Sequence, residues 1–171
     1  MLFRSTGALH DRRGGGARNM PVPPGLNDDE FALLVDEAVS PLLAGFGAEA
    51  LVILTGADAL AGDPLAKLAL SNGALGQAVE RVAALAPAVV VLGGGGYNPW
   101  NVARCWSGLW ARLAGFPIPE PLPEAARAVL ASLWSGRVRE IDPAWLTTLA
   151  DPSRGGAVRG EIRGIVAASL V

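Results

Sequence analysis

Two apolar runs, Ala50-Leu-Val-Ile-Leu-Thr55 and Ala88-Val-Val-Val-Leu92, decide the fold of this chain. Each run has the length of a strand, is rich in branched aliphatic residues and ends at glycine, which predicts two β-strands covered on both faces. Between them, residues 71–86 repeat leucine and valine at helical spacing. A strand, a helix and a strand in that order predict a right-handed βαβ unit with a parallel sheet, so the predicted fold class is α/β.

Helical periodicity continues on both sides of this unit. An amphipathic helix is predicted from about Asp28, with Asn27 or Asp28 able to cap its first turn. Pro41 falls inside this helix and is expected to kink it there or to break it one turn earlier. After the second strand, Asn98 and Pro99 occupy the favoured cap and first positions of another helix. The predicted inward residues of that helix are Val102, Trp106, Leu109, Trp110 and Leu113.

The chain divides by composition into four parts. Residues 1–27 are predicted to be an extended lead-in, residues 28–114 an α/β unit, residues 115–123 a proline-rich connector, and residues 124–171 a helical tail. Two parallel strands rarely form a stable sheet without further strands beside them. We therefore expect the α/β unit to be part of a larger domain.

Composition excludes several classes of protein. Among 171 residues, 51% are hydrophobic and 18% are charged, which excludes a disordered chain. The net charge of −2 gives no basic excess for nucleic acid. The uncharged stretch from Val82 to Ala103 is broken by prolines and glycines, so no membrane span is predicted. The start of the chain lacks an apolar signal sequence, and the single cysteine, Cys105, allows no intrachain disulfide, so a cytoplasmic location is expected.

Polar side chains follow both predicted strands, where parallel sheets bind ligands. Asp58 follows the first strand and suits a metal site as an oxygen donor, or caps the next turn. Asp63 is interpreted as a turn residue. The glycines from Gly93 to Gly96 let the backbone approach a substrate and aim Tyr97, or they form a tight turn that leaves Tyr97 half-buried.

Other catalytic patterns are missing from the sequence. A dinucleotide-binding pattern fails at Asn98, which stands where a third glycine is needed, and no Gly-Lys-Ser/Thr exists for a P-loop. Cys105 is predicted to be a core thiol on a helix. The only histidine, His10, is predicted to be solvated, and one histidine does not supply a zinc site together with a general base.

Three motifs, Gly56-Ala-Asp-Ala-Leu-Ala-Gly-Asp-Pro-Leu65, Leu92-Gly-Gly-Gly-Gly-Tyr-Asn98 and Asn101-Val-Ala-Arg-Cys-Trp106, closely resemble the C-terminal part of the histone deacetylase superfamily. The bacterial acetoin-utilisation-type deacetylases are the most similar group, and the resemblance covers most of residues 5–114. It implies an arginase-like α/β fold with a parallel sheet and flanking helices. It also implies a hydrolase that uses zinc to remove acetyl groups from lysine or from related small amines.

The resemblance also implies roles for four residues. Asp58 matches a zinc ligand, and Tyr97 matches the residue whose hydroxyl donates to the oxyanion formed when water attacks the amide carbonyl. Leu65 and Gly95 match residues that line the acyl channel. The paired general-base histidines of the family, and the Asp and His that complete its zinc site, lie upstream of the matched region.

Two functional hypotheses follow from this difference. In the first, the chain is a C-terminal segment of a deacetylase for acetylated lysine or a small acetylated amine, inactive until it joins the missing N-terminal portion. In the second, the chain is a truncated, non-catalytic α/β remnant that binds or self-associates through its unpaired strand edges.

Overall fold

The computed structural model describes residues 18–170; His10 and most of the predicted lead-in lie outside these residues. The elements, in chain order, are α1 (Asp28–Leu34), a π-helical segment (Val35–Val39), α2 (Ser40–Phe46), β1 (Ala50–Thr55), a 3-10 turn (Ala57–Ala59), α3 (Asn72–Ala83), β2 (Ala88–Gly93), α4 (Pro99–Leu113), α5 (Glu124–Ser132), a second 3-10 turn (Pro143–Leu146) and α6 (Gly160–Ser169). The predicted strand, helix, strand order is confirmed.

β1 and β2 form a two-stranded parallel sheet whose register runs from the pair Ala50 and Ala88 to the pair Thr55 and Gly93. Helix α3 connects the two strands and packs against both β1 and α4. Because the strands are parallel and in register, both end at one edge of the sheet. The loops that follow them therefore begin side by side.

One face of this sheet is not covered by the described residues, so the prediction that the strands are covered on both faces is wrong for this part of the chain. We call this surface the open face; it consists of Val52, Leu54, Val90 and Leu92, which are 69%, 50%, 53% and 46% exposed. The register pairs Val52 with Val90 and Leu54 with Leu92. An apolar run shows that a strand can be buried, but it does not identify the element that buries it.

The first helix begins as predicted, and its interruption has a clear physical cause. Asn27 caps α1 and shares a capping box with Glu30. The π-helical segment lies just before Pro41, which has no N–H and interrupts the regular α-helical pattern. The amide of Ser40 instead donates to the carbonyl of Val35, five residues back. The helix is therefore interrupted about one turn before the proline, by a π-helical segment, and it continues through Pro41 as α2.

Helix α4 confirms its predicted cap and only part of its predicted inward face. Leu109 and Cys105 are buried, whereas Trp110 is 64% exposed and stacks on Phe116 with ring centroids 5.1 Å apart. Leu113 is also exposed. Neighbouring helical residues are about 100° apart around the axis, so Leu109 and Trp110 do not share one narrow inward stripe.

Buried polar contacts join the C-terminal segment to the rest of the molecule. The buried Arg104 side chain pairs with Asp151 at 2.7 Å and donates to the carbonyl oxygen of Thr148. Asn72 and Asp151 each donate a backbone N–H to the other's side chain. The segment that begins near Thr148 therefore packs on both α3 and α4.

Candidate functional site

The loops after β1 and β2 lie against each other, as their parallel register predicts. The amide of Ala57, which begins the turn after β1, donates to the carbonyl oxygen of Gly95 at 2.7 Å. Asp58 is the next residue in that turn. The bond therefore fixes the loop that carries Asp58 beside the glycine run that leads to Tyr97.

The Asp58 carboxylate lies directly against two glycines. A Cβ atom added to Gly95 would collide with Asp58 Oδ2, and one added to Gly56 would collide with Asp58 Oδ1. Only glycine fits at both positions while the carboxylate keeps this place. The glycine run therefore lies against a side chain of this chain.

Gly96 is restricted by its backbone conformation as well as by space. Its φ of +150° is unfavourable for residues with side chains, and a Cβ atom there would lie 2.7 Å from Val102. The residue after it is Tyr97. The direction in which the chain enters Tyr97 therefore depends on glycine at position 96.

Burial raises the pKa of Asp58 above its ordinary value, and the nearby negative charge of Asp63 adds to this effect. A hydrogen bond with its own backbone amide opposes the increase. Among the described residues, no other hydrogen bond of the Asp58 carboxylate is seen, and the turn at Ala57–Ala59 has no side-chain cap. These contacts do not support the alternative in which Asp58 caps the following turn, and they leave the carboxylate able to bind a cation.

Tyr97 and Leu65 are exposed at this edge of the sheet. Tyr97 is 43% exposed and Leu65 is 56% exposed. The backbone N–H of each residue donates to the carboxylate of Asp63, at 2.8 Å from Tyr97 and 2.9 Å from Leu65. The bond to Leu65 confirms that Asp63 acts as a turn residue, whereas its bond to Tyr97 was not predicted from the sequence.

Two asparagines hold the start of α4 against the same loop. Asn98 accepts hydrogen bonds from the amides of Trp100 and Asn101, as its predicted cap role requires, and it also donates to the carbonyl oxygen of Gly62. Asn101 donates to the carbonyl oxygen of Ala61 at 2.9 Å. The residue after Tyr97 is therefore tied to the loop that contains Asp63.

The described residues do not form a complete metal site. Within residues 18–170, no group of three or more His, Cys, Asp or Glu side chains is arranged to hold a metal ion. Asp58 fits as one oxygen ligand because its carboxylate has free acceptor capacity beside the glycine loop. A structural zinc site needs about four ligands and a catalytic one about three protein ligands.

A cleft of about 260 Å³ lies elsewhere, between α1 and α3. Its lining includes Asp28, Ser71 and Asp151, and it includes none of Asp58, Leu65, Gly95 and Tyr97. The carboxylate of Asp28 already accepts bonds from the amide and hydroxyl of Ser71 and from the amide of Arg154. These polar groups hold the helices and the C-terminal segment together, so we assign the cleft no ligand.

Cys105 is a core thiol, as predicted. It is 5% exposed, and burial raises its pKa to about 12. None of the helices in residues 18–170 combines the length and the apolar character that a bilayer crossing requires.

Taken together, the fold and the loops describe an α/β protein with a carboxylate and a tyrosine at the carboxyl edge of a parallel sheet. A sequence profile of the histone deacetylase domain matches residues 2–113. The chain therefore belongs to the histone deacetylase family.

Individual relatives agree with this assignment. Histone deacetylase 8 of Xenopus laevis is 31% identical over 127 residues, which are 72% of this chain and 39% of that protein. Histone deacetylase 1 of Homo sapiens is 33% identical over 125 residues, which are 71% of this chain and 26% of that protein. The chain thus spans less than half the length of these relatives.

Solved structures confirm the predicted deacetylase-like α/β fold. The crystal structure of an HDAC homolog from Aquifex aeolicus superposes with a TM-score of 0.82 at 35% identity, covering 90% of this chain and 42% of the homolog. An HDAC homolog complexed with SAHA matches with the same TM-score at 36% identity.

Proposed function

We propose that this chain supplies one part of the active site of a zinc-dependent deacetylase that hydrolyses acetyl-lysine or a related acetylated amine. Within the family, we assign it to the bacterial acetoin-utilisation type on the motifs around Asp58 and Tyr97. The observation that carries the proposal is the Asp58 carboxylate packed against Gly95, two residues before Tyr97. The solved homolog that binds SAHA supports a ligand site on this fold.

Each residue has a defined role in the proposed reaction. Asp58 is one ligand of the zinc ion, which when bound polarises the acyl carbonyl and makes water more acidic. The Tyr97 hydroxyl donates a hydrogen bond to the oxyanion as the amide carbonyl is attacked. Leu65 and Gly95 form part of the wall of the acyl channel, and the exposed side chain of Leu65 is consistent with this role.

The remaining zinc ligands and the general base come from outside the described residues. A single carboxylate binds zinc weakly because affinity depends on several ligands that converge on the metal. We therefore expect residues 18–170 to be inactive alone and active when combined with the N-terminal part of a deacetylase domain. The DNA upstream of the Met1 codon gives a simple test, since this proposal expects an in-frame His-His and an Asp-x-His there.

The biochemical test measures bound zinc and acetyl-lysine hydrolysis. The chain is assayed alone and after mixing with the part of the Aquifex aeolicus homolog that it does not match. We expect turnover only in the mixture, and we expect Tyr97→Phe to reduce it by about 10²–10³-fold, as loss of an oxyanion donor does. Phe46→Leu is the control, because Phe46 is 82% exposed and lies on α2.

Two results would contradict parts of this proposal. Turnover that is insensitive to Tyr97→Phe would remove Tyr97 from the site. Turnover by the isolated chain that depends on Tyr97 would show that no further portion is needed.

A second candidate function, association without catalysis, is favoured by the open face. Four exposed aliphatic side chains lie together there, and exposed apolar surfaces of this kind often mark protein interfaces. If the isolated chain self-associates through this surface, the double variant Leu54→Ser and Val90→Thr shifts its mass in light scattering towards that of a monomer. An unchanged mass distribution would exclude the open face as the contact.

A cytoplasmic location is part of the same proposal. One cysteine in 171 residues, buried in α4, is consistent with a reducing compartment.

A further inference from the structure

The carboxylate of Asp63 connects the two loops of the proposed site. It is only 9% exposed. Its Oδ1 atom accepts hydrogen bonds from the amides of Leu65 at 2.9 Å and Ala66 at 3.0 Å, and its Oδ2 atom accepts one from the amide of Tyr97 at 2.8 Å. One side chain therefore binds the loop after β1 with one oxygen and the loop after β2 with the other.

We infer that Asp63 is a positioning residue, which sets where Tyr97 stands relative to Leu65 and the acyl channel. This inference rests on the proposed function, in which Tyr97 donates to the oxyanion and Leu65 lines the channel. The Asp63 carboxylate acts on Tyr97 and Leu65 through the hydrogen bonds that it accepts from their backbone amides. It is therefore not assigned a catalytic role.

The glycine run explains why Tyr97 needs such a restraint. Four consecutive glycines precede Tyr97, and glycine restricts the backbone less than any other residue. Hydrogen bonds to a carboxylate are stronger than those between neutral groups. The bond from Tyr97 to Asp63 and the bond from Ala57 to Gly95 together hold a segment that has little conformational preference of its own.

The residue after Tyr97 is also fixed to the loop that contains Asp63. Asn98 is fully buried and donates to the carbonyl oxygen of Gly62, the residue immediately before Asp63. The Tyr97 backbone is thus held on one side by the Asp63 side chain and on the other by Asn98. Its ring, 43% exposed, remains accessible to a ligand.

Asp63→Asn is the discriminating substitution because it keeps the size of the side chain. An asparagine has one acceptor oxygen, and its NH₂ group turns a donor towards one of the two loops. Because Oδ1 of Asp63 accepts two bonds and Oδ2 accepts one, we expect the asparagine oxygen to stay with the amides of Leu65 and Ala66 and its NH₂ group to face the Tyr97 amide, which then loses its acceptor. Asp142→Asn is the matched control, because the exposed Asp142 accepts a single bond, from the amide of Ala144, which asparagine retains.

The first test measures hydrogen exchange of the Tyr97 amide by NMR. Tyr97 is the only tyrosine in the chain, so selective labelling of tyrosine identifies its amide and ring signals without a full assignment. In the unaltered protein, we expect the Tyr97 amide to exchange at least about 10-fold more slowly than an unstructured amide, because it donates a hydrogen bond to the buried Asp63 carboxylate. An unprotected Tyr97 amide would overturn the inference even if no variant folds.

The second test compares the variants. We expect Asp63→Asn to speed exchange of the Tyr97 amide by about 10-fold and to shift the Tyr97 ring signals, and we expect Asp142→Asn to leave both unchanged. Tyr97 exchange and ring signals that match those of the unaltered protein in a folded Asp63→Asn variant would contradict the positioning role.

The third test uses the assembled enzyme described above. We expect Asp63→Asn to lower kcat by about 10-fold through misplacement of the Tyr97 hydroxyl, and to add little when Tyr97→Phe is already present. Full additivity of the two substitutions would contradict the inference. Altered Tyr97 exchange without any Tyr97-dependent turnover would instead support the positioning contact and contradict the proposed function.

Discussion

The carboxyl edge of the sheet and its open face belong to the same two strands. The described residues supply hydrogen-bond partners for polar groups at the edge, but they leave the apolar side chains of the open face exposed. At the carboxyl edge, Asp63, Asn98 and Asn101 each bond to backbone groups of another loop. On the open face, Val52 and Val90 lie side by side with more than half of each side chain exposed. Polar groups find partners in nearby backbone, whereas an apolar face requires a whole further layer.

The largest expected effect is on the reactivity of cysteine thiols. The reaction rate shows whether a thiol lies in the covered core or on the open face. Burial, aided by the charge of Asp151 and opposed by that of Arg104, raises the pKa of Cys105 from an ordinary 9.0 to about 12. At a fixed pH below the pKa, each unit of increase in pKa lowers the thiolate fraction about tenfold, so native Cys105 should react with an aromatic disulfide reagent about 10³-fold more slowly than an exposed thiol. A cysteine placed on the open face by Leu54→Cys, in a Cys105→Ala background, should react at the exposed rate.

The reaction in urea is the control for this experiment, because both cysteines become accessible when the chain unfolds. Similar native rates for the two thiols would mean that the open face is covered in solution. They would then break the comparison on which these predictions depend.

A pair of alanine substitutions in β1 compares the two faces directly. Ile53 is half-buried on the helix-covered face, and its neighbour Leu54 is half-exposed on the open face. We expect Ile53→Ala to lower the free energy of unfolding by about 2 kcal/mol and Leu54→Ala by less than about 1 kcal/mol. Urea unfolding at low protein concentration measures both. Equal losses would indicate that another copy or segment buries Leu54.

Two capping residues, Asn98 of α4 and Asp142 of the second 3-10 turn, test how much the polar contacts of the carboxyl edge stabilise the fold. Asn98 is fully buried and makes three hydrogen bonds, whereas Asp142 is exposed and accepts one. We expect Asn98→Ala to lower the free energy of unfolding by about 1.5–2 kcal/mol and Asp142→Ala by about 0.5 kcal/mol. If thermal or urea unfolding ranks the two variants in the opposite order, the carboxyl edge is not held by its polar contacts.

An effect smaller than those of Ile53→Ala and Asn98→Ala is expected to depend on pH. Hydrogen bonds from the Arg159 side chain, which outweigh the opposing effect of burial, hold the pKa of Glu30 below its ordinary value of 4.5. Because the folded-state pKa is lowered, the pair stabilises the fold above about pH 4.5 and loses this contribution as the pH falls through the folded-state pKa. Arg159→Met should lower the free energy of unfolding by about 1 kcal/mol at pH 7. The effect is modest because Arg159 is partly exposed and solvent screens the ion pair.

The difference in the free energy of unfolding between the unaltered protein and Arg159→Met should become smaller in acid. Urea unfolding at pH 7 and near pH 3 measures it. Glu124→Gln is a control, because the exposed Glu124 on α5 takes part in none of the ion pairs among residues 18–170. If this difference in the free energy of unfolding stays constant with pH, Arg159 acts through packing rather than through the charge of Glu30.

Much of the fold could be predicted because its signals are local. The strands at Ala50–Thr55 and Ala88–Gly93 were evident from apolar runs, and Asn98 with Pro99 marked the start of α4. The three motifs also identify the family from the sequence alone. Each of these signals depends on residues that are neighbours in the sequence.

The errors share a different physical origin. Trp110 was predicted to face inward because it is large and apolar, yet it lies outside the stripe of α4 that the core covers. The link from Asp63 to Tyr97 joins residues 34 positions apart and has no sequence pattern of its own. Both outcomes depend on which elements pack together rather than on local preference.

By itself, the sequence determined the parallel βαβ unit, the cap of α4 and membership of the deacetylase family, since periodicity and capping act over a few residues. Only the tertiary structure decided that Asp58 rests against Gly95, that Asp63 joins two loops, and that residues 18–170 leave one face of the sheet uncovered. These features arise from contacts between distant segments, whose geometry is fixed only when the elements pack.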